Sequence, residues 1–252
     1  MPKGVPSHDT IQRVLAMAEP EYLQGLRQEL LNSAEGEKIR KRLSLDGKTQ
    51  SGDGNKAQKA NRIVRAVTEG GFCVWEKPVD EKPNETTAIP ELLNMLNVKG
   101  QIISVDAMRE QKEIAKTTRK KWAGYALSLK KNRGCLYEGV ELYFSDPHLP
   151  SECAYAKTME KACGGMEKRE YWQTGGIARL HGKKERAGLK AIAMTRNTRV
   201  KNGKETREER YFLSSPALDV KEIARAIRGH WMAESRHWHL GAAFREGAGR
   251  TF

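Results

Sequence analysis

Residues 101–131 read QIISVDAMREQKEIAKTTRKKWAGYALSLKK, and this stretch decides the fold class. It opens with a nearly continuous apolar run over 101–108, which is typical of a strand in the middle of a sheet. A basic segment with helical periodicity follows over 109–123, and residues 124–131 predict a second strand. A helix that joins two strands favours a sheet with helical crossovers. We therefore expect an α/β fold with a mixed sheet and flanking helices.

The residues before this unit extend the same pattern. Residues 7–42 predict two short helices, and residues 43–61 predict a short strand followed by a polar, Gly-rich segment. Residues 62–79 predict a β-hairpin that turns at Gly70-Gly71. Residues 84–98 predict a helix with Pro90 in its first turn, where a missing N–H costs little.

The pattern changes after residue 135. Three segments over 169–215 are typical of antiparallel strands, and Asn202-Gly203 is a hairpin signal. A long helix is expected to start near Asp219. The predicted organisation is a helical N-terminal segment over 1–40, a first part of the core over 41–134, a β-rich insertion over 135–216, and a C-terminal helix over 217–252 that completes the core.

The chain is strongly basic. Its 252 residues include 45 Lys and Arg against 32 Asp and Glu, a formal net charge of +13. This excess favours a polyanion partner, either nucleic acid or an anionic membrane surface, although a soluble basic protein also fits. No apolar run reaches the roughly 20 residues that a bilayer span needs, and the N-terminus lacks the apolar region of a secretory signal. The four scattered cysteines are typical of reduced thiols in a cytoplasm.

Two acids stand where predicted strands end. Asp46 follows Leu43 and Leu45, and Asp106 follows Ile102, Ile103 and Val105. A carboxylate on an apolar strand is costly to bury unless it pairs or binds a cation, although either acid alone fits a helix cap or a turn. Together with an acid-bearing helix on the same sheet, the pair suggests a carboxylate cage for Mg²⁺ or Mn²⁺. Two such ions support phosphodiester chemistry, and the charge of the chain makes nucleic acid a plausible substrate.

The last helix carries a second candidate metal set. Residues 223–244 read IARAIRGHWMAESRHWHLGAAF, and helical periodicity places His230, Glu234 and His237 on one face. The two histidines are seven residues apart, about 10.5 Å of rise, whereas zinc-binding histidines on a helix are normally four apart. We therefore do not expect a zinc site here. The question is whether this helix packs a core or supplies one acid to a site built elsewhere.

Several stretches match a known family in order along the chain. They include residues 4–14, 43–49, 79–108, 111–116, 125–138, 167–174, 188–194, 210–215 and 227–240. On these residues the chain resembles DDE transposases of the H-repeat-associated insertion-sequence family, apparently truncated at both ends. The resemblance implies an RNase H-like core and a bacterial, nucleoid-associated, cytoplasmic protein that acts on transposon ends and target DNA. A homodimer is one option for its assembly, and no membrane is involved.

The resemblance also implies roles for individual residues. Asp46, Asp106 and Glu234 would be the catalytic carboxylates that hold two Mg²⁺ or Mn²⁺ ions, and the β-rich segment would be the insertion before the Glu-bearing helix. Candidate DNA contacts are Lys48, Lys130, Arg228, His230, Arg236 and His237. Alternatives stay open for several of them: a solvated face for the basic segment that contains Lys130, and packing for the two histidines. Trp231 and Trp238 are more typical of core positions.

The family pattern is not matched everywhere. Ser235 stands where an Asn is usual after the Glu, and Gly241 stands where an Asp is usual. Loss of groups that support a metal ligand typically costs 10–100-fold in affinity or activity. We therefore expect strand cleavage and transfer that is impaired by these changes and by truncation. The alternatives are a non-catalytic DNA-binding remnant and a metal-dependent nuclease without strand transfer.

Overall fold

The structure is a computed structural model. It describes residues 6–19, 41–49, 62–79, 82–106, 111–131, 134–146, 152–162, 165–201, 203–216 and 219–243, together with positions 4, 22, 25, 26, 29 and 148. Helices and strands alternate over the first half of the described chain. Their bounds are α1 His8–Met17, β1 Arg42–Thr49, β2 Arg62–Thr68, β3 Cys73–Val79, α2 Lys82–Met95, β4 Ile102–Val105, α3 Gln111–Lys120 and β5 Gly124–Leu129.

The second half begins with a helix and continues with long strands. Its elements are α4 Cys135–Ser145, β6 Ala154–Ala162, β7 Gly165–Thr174, a short 3₁₀ turn Lys183–Glu185, β8 Ala191–Lys201, β9 Lys204–Ser214 and α5 Val220–Ala243.

All nine described strands form one mixed sheet. Their order across the sheet is β3-β2-β1-β4-β5-β9-β8-β7-β6. Strands β1, β4 and β5 are parallel to one another, and every other neighbouring pair is antiparallel. The predicted strand–helix–strand unit is present as β4, α3 and β5. The expected α/β fold with a mixed sheet is therefore confirmed.

Each face of the sheet is covered by different helices. Leu45, Ile103 and Leu127 are fully buried on one face, in the same apolar cluster as Leu92 of α2 and Ile114 of α3. Alternate residues of a strand point to opposite faces, so the residues between them face the other way. There Ala126, Ala193 and Phe212 form a second cluster with Ile223 and Ile227 of α5. Of the described helices, the long C-terminal helix is thus the one that packs on the face opposite α2 and α3.

The β-rich segment extends this sheet. Strand β9 pairs with β5 from Ala126 opposite Ser214 to Leu129 opposite Tyr211. The predicted turn of the β8–β9 hairpin is confirmed, because Lys201 is paired with Lys204. The turn at Gly70-Gly71 is confirmed as well: the Gly71 N–H donates to the Thr68 carbonyl at 2.8 Å, and Gly71 has a φ of 80°.

One local expectation, the place of Pro90, is wrong, and another, the second N-terminal helix, falls mostly outside the described residues. Pro90 is inside α2, which begins at Lys82, so the expected place in the first turn is wrong. An interior proline removes one helical hydrogen bond, and α2 tolerates this because Ile89, Leu92 and Leu93 are fully buried. Helix α1 matches the first short helix, whereas most of residues 18–40, where the second was expected, lies outside the described residues. Among the described helices, none combines the length and apolarity needed to cross a bilayer.

Candidate active site

Asp46 and Asp106 stand side by side where the pairing of β1 with β4 ends. The two strands run parallel with Leu45 opposite Val105. Asp106 directly follows β4, as expected, whereas Asp46 lies inside β1, which continues to Thr49 in its pairing with β2, so the expectation of a strand end at Asp46 is wrong. Neighbouring strands lie about 4.8 Å apart, so the two backbones bring these carboxyl groups within reach of a common ligand. The pairing is continuous from Arg42 opposite Ile102 to Leu45 opposite Val105, so no irregularity separates the two acids.

The two acids share the face of the sheet that α5 covers. Two positions earlier, Ser44 and Ser104 occupy the same face, and the Ser104 hydroxyl donates to Ser44 Oγ at 2.9 Å. A Cβ at Gly229 of α5 would lie 3.8 Å from that Ser44 Oγ. The serine pair therefore connects the strand acids to the helix.

Positive side chains flank both acids. Lys130, directly after β5, donates from Nζ to Asp106 Oδ2 at 2.8 Å, and the Asp106 side chain is 29% exposed. On the other side, Arg65 of β2 is the cross-strand partner of Asp46 and is buried at 4% exposure. Directly opposite residues of an antiparallel pair have Cβ atoms about 5 Å apart and point to one face. The paired acids thus lie between a buried arginine and a half-exposed lysine.

Sequence reasoning missed Arg65, although a signal for it existed. Residues 62–68 read RIVRAVT, so Arg65 interrupts an otherwise apolar strand centre. A buried guanidinium needs an anionic or hydrogen-bonding partner, and the neighbouring strand supplies Asp46 in register.

Helix α5 is fixed against the strand that carries Asp46. Asp219 caps its first turn, accepting from the backbone N–H groups of Lys221 at 3.0 Å and Glu222 at 3.1 Å. Glu222 forms an ion pair with the buried Arg42 at the start of β1. Because Glu222 lies over Arg42 and Gly229 over Ser44, the helix advances in the same direction as β1.

This direction brings position 234 to the level of Asp46. Five helical residues from Gly229 rise about 7.5 Å, and two strand residues from Ser44 advance about 6.6 Å. Position 234 also lies about 20° from Ile223 around the helix axis, on the same stripe as the buried Ile227 and His230. The side chain of Glu234 lies outside the described residues.

The other predicted DNA contacts fall into three groups. Lys130 contacts Asp106, as described above. Arg228 donates to Glu160 of β6 at 2.8 Å, and His230 is buried at 7% exposure. Lys48 is on β1, and Arg236 and His237 are on α5, but their side chains lie outside the described residues. Trp231, expected in the core, is half-buried, and the Arg210 guanidinium lies 5.2 Å from its ring centroid.

A cavity of about 340 Å³ opens beside Asp106. It is bounded by the end of β5 and by β9. Its charged side chains are three cations and three acids: Lys130, Lys131, Arg210, Asp106, Glu208 and Glu209. Tyr137 and Tyr211 form part of its wall, with their rings 5.4 Å apart in an edge-to-face contact. Burial raises the pKa of Tyr211 to about 12, with the neighbouring Glu209 and Glu141 acting in the same direction. At neutral pH the Tyr211 phenol therefore stays protonated and adds no charge to the cavity.

The donor set matches hard divalent cations. Asp46 and Asp106 offer carboxylate oxygens, which Mg²⁺ and Mn²⁺ prefer over nitrogen or sulfur. Among the side chains that the structure describes, no group of three metal-ligating residues is close enough to hold an ion. The two described acids would fit one side of a metal site.

Comparison with known proteins agrees with this geometry. Residues 35–251 match the family described as Transposase DDE domain. The chain belongs to the DDE transposase family. It therefore has the RNase H-like core that the resemblance implied, and the resemblance to the H-repeat-associated group is confirmed by its relatives.

Three of those relatives show how far this transposase matches. The "H repeat-associated putative transposase YhhI" of Escherichia coli (strain K12) is 33% identical over 254 residues, which cover 96% of the chain and 67% of the relative. The "Putative transposase YncI" of Escherichia coli O157:H7 is 34% identical over 260 residues, covering 98% and 66%. An "Uncharacterized protein in dhlA 3'region" of Xanthobacter autotrophicus is 32% identical over 219 residues, covering 86% and 74%. The chain thus spans about two thirds of the length of the two Escherichia coli proteins.

Proposed function

We propose that this transposase cleaves and transfers DNA strands through a carboxylate triad of Asp46, Asp106 and Glu234. The observation that carries the proposal is the parallel register of β1 and β4, which sets the two strand acids beside each other. The direction of α5 supports Glu234 as the third acid, because its backbone position falls at the level of Asp46.

Two Mg²⁺ or Mn²⁺ ions would fit this triad. When bound, they would activate the attacking water or 3′-hydroxyl and stabilise the leaving oxygen of the phosphodiester. The protein's part is to hold three carboxylates on rigid elements at fixed spacing. Two parallel strands in the middle of the sheet and a helix packed on their face support this role.

The DNA backbone would follow the positive side chains next to Asp106. Lys130 and Lys131 line the cavity there, and cations of this kind neutralise phosphates. The third cation of the cavity, Arg210, pairs with Glu208 at 2.8 Å, so we do not assign it to DNA. We propose Lys48, Arg236 and His237 as further contacts to the strands. Arg228 pairs with Glu160, and His230 is buried. We therefore assign both residues to support of α5 rather than to DNA contact.

Strand cleavage is the direct test of this function. The substrate is a plasmid that carries the gene with its flanking DNA, incubated with the purified protein and Mn²⁺. We expect nicks or breaks at the ends of the element that require Mn²⁺ and are lost in Asp46→Asn and Asp106→Asn. Asp219→Asn is the matched control, because it is the same chemical change at a helix cap, where Asn serves as well as Asp.

The outcomes separate the candidate functions. Binding to the plasmid without cleavage under any condition would establish the non-catalytic remnant. Cleavage without joined products would indicate a metal-dependent nuclease that does not transfer strands. Cleavage that survives Asp106→Asn would overturn the triad, and efficient cleavage by the native chain would contradict the impairment expected from Ser235 and Gly241.

A further inference from the structure

The β6–β7 hairpin contacts helix α5 through a shared carboxylate. Glu160 Oε2 on β6 accepts a hydrogen bond from Arg228 of α5 at 2.8 Å. The same oxygen accepts from Arg169 of β7 at 3.0 Å. Glu160 therefore joins the edge strand of the sheet to the helix that carries Glu234.

A buried network of charged side chains on β7 and β8 supports this contact. Arg169 and Glu167 form an ion pair with side chains only 5% and 4% exposed. Glu167 also accepts from Asn197 of β8 at 2.8 Å and pairs with Arg199 at 3.4 Å. Burial favours the protonated acid, yet the Asn197 hydrogen bond and the two arginine charges outweigh it, so the pKa of Glu167 lies below its usual value. The carboxylate stays ionised and fixes Arg169, which in turn fixes Glu160.

Helix α5 is thus held by charged groups at two strands far apart in the sheet. Glu222 pairs with Arg42 of β1, the third strand from one edge, and Arg228 pairs with Glu160 of β6, the other edge. A single anchor would leave the helix free to pivot on its apolar contacts with Ala126 and Phe212, whereas two anchors also fix its direction. Position 234 lies six residues beyond Arg228, about 9 Å along the axis, so its location depends on that direction.

We propose that Glu160 and Arg228, held by Arg169 and Glu167, form a latch that sets the direction of the second half of α5 and so positions Glu234 against Asp46 and Asp106. This rests on the proposed function, because it takes Glu234 as a metal ligand. It gives the β-rich insertion a role: its hairpin positions the helix. Arg228 and Glu160 are positioning residues and do not touch the reacting atoms.

The test compares variants of the latch with a matched variant on the same helix. Arg228→Gln and Glu160→Gln break the latch, and Arg228→Lys keeps the charge. Lys221→Gln is the control, because it also removes one positive charge from α5, at an exposed side chain that belongs to neither anchor. Both latch side chains are more than a third exposed, so the variants are expected to fold, and thermal unfolding of each verifies this.

Two measurements read out position without strand cleavage. Hydrogen exchange followed by mass spectrometry reports the protection of backbone amides over 230–243, and electron paramagnetic resonance of free Mn²⁺ reports metal affinity. We expect both latch variants to exchange faster over 230–243 and to bind Mn²⁺ about tenfold more weakly, as is typical when support of a metal ligand is lost. Arg228→Lys should recover most of the affinity, and Lys221→Gln should match the native chain.

Glu234→Gln separates failure of the latch from failure of the proposed function. Suppose that Arg228→Gln exchanges and binds Mn²⁺ like the native chain, while Glu234→Gln binds Mn²⁺ more weakly. That result would overturn the latch and leave the triad intact. Faster exchange without weaker Mn²⁺ binding would also overturn it, because the helix would move without consequence for the site. Unchanged Mn²⁺ affinity in Glu234→Gln would refute Glu234 as a ligand, and the latch proposal would fall with it.

Discussion

At the scale of single residues, Lys130 lies where the proposed metal site and the proposed DNA path meet. Its ammonium lies 2.8 Å from Asp106 Oδ2, where it neutralises a carboxylate that the proposed metal ion would also need. Its side chain is 55% exposed, so it can leave Asp106 at little cost when another cation arrives. In the same cavity it also lies where a DNA phosphate would pass.

Removing the charge of Lys130 should therefore change the affinity for metal and the affinity for DNA in opposite directions. We expect Lys130→Gln to bind Mn²⁺ about two- to fivefold more tightly, because a competing cation of this exposure is worth less than about 1 kcal/mol. The same variant should bind duplex DNA more weakly and with a salt slope smaller by about one unit. Metal titration and fluorescence anisotropy measure the two effects. Lys131→Gln, which alters the same cavity, is the control for metal affinity, and equal Mn²⁺ binding in both variants would contradict the prediction.

The residue scale also shows what the sequence could reveal of the site. Asp46 and Asp106 were predicted from the apolar strands that precede them, and the register places them together. Lys130 was predicted as a DNA contact, and its ion pair with Asp106 could not be read from the sequence, because it depends on how far β5 extends past β4. Arg65 was missed, since its partner lies on a strand that the sequence does not mark as a neighbour.

At the scale of elements, the network on β7 is the most deeply buried charged feature that the insertion shows. Replacing Glu167 by Ala leaves the buried Arg169 with Glu160 as its one acidic partner in the described structure. Breaking a buried pair in this way costs about 3 kcal/mol. Urea denaturation should show that loss in Glu167→Ala, whereas Glu205→Ala, on the exposed part of β9, should cost less than about 0.5 kcal/mol. Equal losses in the two variants would argue against the network.

The same carboxylate predicts how stability depends on pH. The pKa of Glu167 is lower in the folded chain than its ordinary value near 4.5, so its stabilising effect is present above that pH and is lost as the pH falls through the folded value. Glu167→Gln removes the titrating group while keeping the volume. The variant should be less stable than the native chain at pH 7, and the difference between them should shrink as the pH falls below about 4.5. Parallel stability curves from pH 7 to pH 3 would count against this assignment.

Some elements could be predicted from the sequence, and others could not. The unit β4–α3–β5 and the cap at Asp219 follow from apolar periodicity and local chemistry. Helix α4 was missed because its Val, Tyr and Phe residues favour strands, although Leu136, Val140 and Phe144 are buried at helical spacing. Strand β6 was missed because residues 154–162 are rich in Ala, Lys, Glu and Met, which favour helices. In both cases packing against the rest of the sheet outweighs local propensity.

At the scale of the whole molecule, the continuity of the sheet was beyond sequence reasoning. The antiparallel strands after residue 153 were expected as an insertion, and their composition does not say which edge they join. Pairing of β9 with β5 extends the parallel core directly, so the insertion shares its sheet. Although β6 is six strands from β1 in this sheet, Glu160 of β6 contacts the same helix that pairs with Arg42 of β1.

The net charge of +13 is also a property of the whole molecule, and it carries the last prediction. Binding to duplex DNA that neutralises six to ten phosphates releases that many counterions, so affinity should fall by about 10³-fold or more between 50 and 200 mM salt. Fluorescence anisotropy with a labelled duplex measures this slope, and Asp46→Asn should retain it, because the acids are proposed for chemistry rather than for binding. A slope close to one phosphate would contradict this prediction, because it would show that the excess charge does not form a DNA-binding surface. A steep slope in a variant without cleavage would show that binding and chemistry depend on different groups of the same fold.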